Sequence, residues 1–88
     1  MNDWIYPGVI NELTTACNDF LNRKTTVQEI QSKIYSAENQ IVAVDEKWLR
    51  DMLFNAENEI ELLTYTVEEN QLQSSVTSIV HNILNQIT

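Results

Sequence analysis

One glycine, one proline, one cysteine and one histidine occur among 88 residues, and each scarcity excludes something. Gly8 follows Pro7, so beyond residue 8 the chain lacks the glycine turns that close β-hairpins, and a hairpin-rich fold is excluded. Cys17 has no second cysteine with which to form an internal disulfide. Basic residues are few: five Lys and Arg stand against thirteen Asp and Glu, a formal charge of −8. A field of that sign repels nucleic-acid phosphates and anionic lipid headgroups, and it speeds encounter with a basic protein. No window approaches the roughly 20 consecutive apolar residues of a membrane span. The opening MNDWIYPGV has neither a basic n-region nor a long apolar h-region, so no export signal is expected and the cytoplasm is the expected location.

What the chain does have is apolar residues at helical spacing. The types AVILMFWYC make up 43% of it, enough for one globular core, and a chain of this length divides into no more than one domain. The first helix is expected from about Pro7 to Leu21, with Ile10, Leu13, Cys17, Phe20 and Leu21 on one stripe and proline in the first turn. Thr26-x-x-Glu29 is a capping box, in which each side chain satisfies the other residue's backbone N–H; it opens a second helix with Val27, Ile30, Ile34, Ala37 and Ile41 inward.

The run Ile41 to Val44 has no partner strand and is read as a buried connector or continued helix. Asp45 then has the place of an N-cap, with Val44 and Leu49 at the spacing of a hydrophobic staple. A third helix continues through Met52, Leu53, Ala56, Ile60 and Leu63. A second capping box, Thr66-x-x-Glu69, is expected to start the last helix, with Leu72, Val76, Ile79, Val80, Ile83 and Ile87 inward. Four amphipathic helices with short connections imply an all-α, antiparallel four-helix bundle.

Catalytic groups are scarce. His81 falls about 145° from the centre of its helix's apolar stripe and is expected to face water. Cys17 lies on a core stripe, where burial keeps a thiol inert. No Glu-x-x-His motif is present to build a carboxylate metal site. Neither enzymatic activity nor a cofactor or metal is expected.

Charge is unevenly distributed. Arg23, Lys24, Lys33, Lys47 and Arg50 all lie in the first fifty residues, whereas residues 51–88 carry Asp51, Glu57, Glu59, Glu61, Glu68 and Glu69 and no Lys or Arg. Glu57 and Glu61 form a like-charge i, i+4 pair near a helix C-terminus, where repulsion and the macrodipole both disfavour them. Phe54 falls on the same face, about 150° from the core direction. An aromatic set among acids that do nothing for the helix has the composition of a binding site. The plainer alternative is a solubilising acidic surface, with Phe54 or Leu62 packed on a neighbouring helix. Glu68 and Glu69 also have a structural role available, as acids in a helix's first turn.

The second half resembles the immunity protein of colicin D and related bacterial self-protection proteins. The likeness runs through Leu53-Phe54-x-Ala56-Glu57, Tyr65-x-Val67-Glu68-Glu69-Asn70-x-Leu72 and Val76-x-Ser78-Ile79, in the family's order. It implies a four-helix bundle that neutralises a toxin, a tRNA-cleaving nuclease, by covering its basic cleft. Under that implication Phe54 is an anchor, Glu57, Glu59 and Glu61 supply ion pairs, and Glu68 and Glu69 steer the encounter. Periodicity turns Glu59 away from Glu57 and Glu61, so one partner surface need not touch all three. With such a partner the chain itself is expected to be a monomer or weak dimer. The competing expectation is a structural or regulatory module that self-associates or bridges an assembly through Phe54, Leu62 and Trp48.

Overall fold

A computed structural model describes residues 4–88. Four helices carry the fold: α1 (Pro7–Leu21), α2 (Val27–Gln40), α3 (Lys47–Thr66) and α4 (Glu69–Ile87), with a 3-10 turn at Val44–Glu46. No strand occurs among the described residues, and 84% of the structure is helical. Each helix packs on the next and α4 returns to α1, so the four close a ring around one core. The bundle measures 38 × 22 × 18 Å.

The stripes meet as the periodicity requires. Ile10, Leu13, Cys17 and Phe20 of α1, Ile30, Ile34 and Ala37 of α2, Leu49, Leu53, Ala56 and Ile60 of α3, and Val76, Ile79, Val80, Ile83 and Ile87 of α4 form one buried cluster. Burying such side chains stabilises the bundle by about 1.5–3 kcal/mol each for the larger ones. Leu21, Val27, Met52, Leu63 and Leu72 seal its margins.

Helix ends show where local chemistry decides. Thr26 caps α2, its hydroxyl oxygen accepting from the Glu29 N–H at 3.1 Å, but the expected box is only half formed: the Glu29 carboxylate accepts from the Thr26 hydroxyl at 3.3 Å and not from its backbone N–H. α1 closes with a Schellman motif, the Lys24 N–H donating to the Asp19 carbonyl at 2.8 Å and the Arg23 N–H to that of Phe20 at 3.0 Å. The left-handed residue of that motif is Arg23, with φ 60°, where glycine is the usual occupant.

Two expected caps do not form. α3 runs through Thr66, whose hydroxyl donates back to the Leu62 carbonyl at 3.0 Å; Glu68, in extended conformation, is the N-cap of α4 without a side-chain cap bond. Only Val67 and Glu68 separate α3 from α4, so Thr66 cannot be both the last helical residue of one and the extended cap of the other. Asp45 likewise lies inside the 3-10 turn, and Val44 is 84% exposed, so no staple is made. Ile41 is buried instead, and Glu46 turns inward, its Oε2 accepting from the Ile5 N–H at 2.8 Å. Trp4 and Trp48, ring centroids 6.0 Å apart, tie the same N-terminal segment to α3.

Candidate functional site

The outward side of α3 carries the expected acids. Phe54, Glu57, Glu61 and Tyr65 follow one another at three- and four-residue steps, which aligns them along the helix. Phe54 is 49% exposed and Tyr65 81%; Leu62, 61% exposed, lies beside them. Phe54 and Leu62 therefore pack against no neighbouring helix deeply enough to be covered, and the alternative that they are hidden is set aside.

Glu57 is the partly buried member. Its carboxyl is held above the ordinary glutamate range first by desolvation, then by the charges of Glu38 and Glu61, and then by a hydrogen bond shared with Glu38. Glu38 comes from α2 and is 7% exposed. Its Oε1 is buried with no hydrogen-bond partner. Two ionised carboxylates are acceptors only, so neither can satisfy the other unless one holds a proton. A cluster of three acids thus spans the α2/α3 interface, and its deepest oxygen is unsatisfied.

Among the described residues no base forms an ion pair with them. Lys47–Asp51, at 2.7 Å and well exposed, is the one ion pair among the described residues. Arg50, although on the exposed side of α3, makes no ion pair with Glu57 or Glu61.

The remaining acids divide between two further places. Glu61 and Glu69 border a cleft of about 760 Å³ where the start of α2 meets the end of α3 and the start of α4, lined also by Gln28, Gln31, Tyr65 and Leu72. Glu69 thereby joins the acidic end of the molecule, and exposed Glu68 precedes it. Glu59 does not: it lines a separate groove between α3 and α4, with Trp48, Asn55, Ser78 and Asn82. The structure brings Glu57 and Glu61 together and leaves Glu59 on another side of the helix.

The residue that sequence reasoning missed is Glu38. It follows Ile34 by four positions and flanks the stripe formed by Ala37 and Ile41, a spacing that places a side chain at the edge of a helix interface. Its acidic type argued for solvent, whereas the packed bundle buries it.

His81 is exposed, and Cys17 is fully buried with its thiol pushed up to about 12 by desolvation. No three His, Cys, Asp or Glu side chains converge as metal ligands among the described residues. No helix is long and apolar enough to cross a membrane among them either. Comparison of the chain with protein-family models, with curated proteins and with solved structures finds no match in any of the three.

Proposed function

We propose that this chain is an immunity protein: a non-enzymatic, cytoplasmic inhibitor that binds the basic cleft of a nuclease toxin, a tRNase in the family it resembles, and keeps RNA out. The observation that carries this reading is the pairing of Glu57 and Glu61 on an exposed helical face beside Phe54, with no ion pair to either of them among the described residues. A cleft that holds an RNA backbone must present Lys and Arg, and rigidly held carboxylates can take the phosphate positions as charge-assisted partners. Phe54 supplies the apolar anchor that such a contact needs at its centre. Glu68 and Glu69, at the adjoining end of the molecule, add to the field that draws the partner in.

Self-association through exposed apolar residues is the competing reading. It is less well supported, because Trp48 already packs against the Trp4 ring at a tilt of 35° and lies about 120° around α3 from Phe54, so the two do not make one patch.

The test is inhibition of tRNA cleavage by the basic nuclease domain encoded in the neighbouring reading frame, measured over a salt series. Inhibition that weakens roughly tenfold or more between roughly 0.05 and 0.5 M salt supports the proposal. Absence of such a nuclease, or an inhibition indifferent to salt, contradicts it.

A further inference from the structure

The cleft at the end of the bundle has a volume of about 760 Å³, within the range of roughly 300–1,000 Å³ that ligand sites occupy. Three helices wall it. The start of α2 gives Val27 and Gln31, the end of α3 gives Glu61 and Tyr65, and the start of α4 gives Glu69, Leu72 and Gln73. Steps of three and four residues keep each set on one side of its own helix. Depth sorts them by chemistry. Val27 and Leu72 are half-buried and packed against the core, so the floor is apolar. Glu61, Tyr65 and Glu69 are exposed, so the mouth is acidic and carries an aromatic ring. No Lys or Arg lines the cleft, and neither Glu61 nor Glu69 makes an ion pair among the described residues.

We infer that this cleft receives one long basic side chain, lysine or arginine, of the protein partner, with its methylene stem on Val27 and Leu72 and its charged head at the mouth with Glu61 and Glu69. This rests on the reading that the partner is a basic protein. Lys and Arg are the side chains that bury an apolar stem while keeping a cation at the surface, which is the order of chemistry found from floor to mouth. The two carboxylates repel a phosphate or an acidic side chain, and a neutral apolar group would leave them without a counter-charge. A second copy of this chain brings a further net charge of −8 and is repelled in the same way. A metal ion is a poorer occupant, since no acids converge as ligands among the described residues. Glu61 ties the cleft to a protein surface, because it borders the cleft and also stands in line with Phe54 and Glu57 on the outward side of α3. A partner lying on that side has the cleft within reach of a long side chain.

The experiment needs no toxin. The chain is titrated at physiological salt with two tripeptides blocked at both ends, Gly-Lys-Gly and the same peptide with norleucine, the uncharged counterpart, in place of lysine. NMR follows the methyl signals of Val27 and Leu72, the side-chain amides of Gln31 and Gln73, and the ring of Phe54 as a marker of the outer face. Glu61→Gln, Glu69→Gln and Glu12→Gln are compared; each removes one negative charge, and Glu12 lies on α1 outside the cleft. The expected result is that the lysine peptide moves the Val27, Leu72, Gln31 and Gln73 signals together and binds at least about fivefold more tightly than the norleucine peptide. Glu61→Gln and Glu69→Gln should each weaken it about threefold or more, and Glu12→Gln should not. Glu61→Gln carries the test if Glu69→Gln loosens α4. Equal losses in all three variants, equal binding of the two peptides, or shifts confined to the Phe54 ring would overturn the assignment. A nuclease left uninhibited by the unmodified chain would sink the toxin-neutralising reading while leaving the cleft as a site for a basic protein.

Discussion

The carboxyl of Glu57 on α3 stands within hydrogen-bonding reach of the carboxyl of Glu38 on α2, two acids facing each other across a helix interface. Desolvation and the neighbouring charges of Glu38 and Glu61 raise the Glu57 carboxyl above its ordinary range. The folded protein therefore holds this proton more tightly than the unfolded chain does. The contribution of Glu57 to stability is complete below the ordinary glutamate value of about 4.3 and is lost as pH rises through the raised value. Thermal melts at intervals from roughly pH 4.5 to 7.5 should find Glu57→Gln more stable than the unmodified chain at neutral pH, with the difference shrinking as pH falls. A difference that stays constant across that range would contradict the assignment.

Arg23 occupies the left-handed position of the α1 Schellman motif. A residue with a Cβ costs about 1–2 kcal/mol there, and glycine escapes most of that penalty, although its greater freedom in the unfolded chain offsets part. Arg23→Gly is expected to stabilise the protein by about 0.5–1 kcal/mol in urea unfolding.

The two threonine boxes make opposite predictions. Thr26→Ala removes a cap that satisfies the Glu29 N–H and should cost about 1 kcal/mol. Thr66→Ala removes only a bond back to the Leu62 carbonyl on an exposed turn, and its effect should fall within about 0.5 kcal/mol. Equal costs in chemical denaturation would show that Thr66 caps α4 after all.

That contrast also marks how far the sequence could be read. The period of Ile10, Leu13, Cys17 and Phe20, and of Val76, Ile79, Val80 and Ile83, located the core faces, because burial of a stripe is a local property of each helix. The exposure of Phe54 followed from the same wheel. Thr66 and Asp45 were misread because a capping motif states only that a helix can start, and the two-residue connection and the inward turn of Glu46 decide whether it does. Glu38 was out of reach for a different reason. Its burial is made by the packing of the other helices, a non-local event, and its residue type pointed to water. The i, i+4 spacing put Glu57 and Glu61 on one face, and the same periodicity turned Glu59 away from them, toward the groove it lines between α3 and α4.

Cys17 is sealed in the core with its thiol raised to about 12, so it is neither exposed nor ionised at neutral pH. Its modification by a thiol reagent should proceed only through opening of the bundle, and the labelling rate should rise with denaturant in step with the loss of helical circular dichroism. Fast labelling of the fully folded protein would show that α1 is not held as described.

The central claim is that the acids on α3 exist to meet positive charge on another molecule. It is tested most directly by the inhibition constant of the double variant Glu57→Lys, Glu61→Lys against the proposed nuclease partner, with helical content and melting temperature measured on the same sample. Because Glu57→Lys places a cation beside Glu38, the bundle should melt no lower than before, while inhibition should fall at least about a hundredfold. A folded double variant that inhibits as well as the unmodified chain would contradict the account.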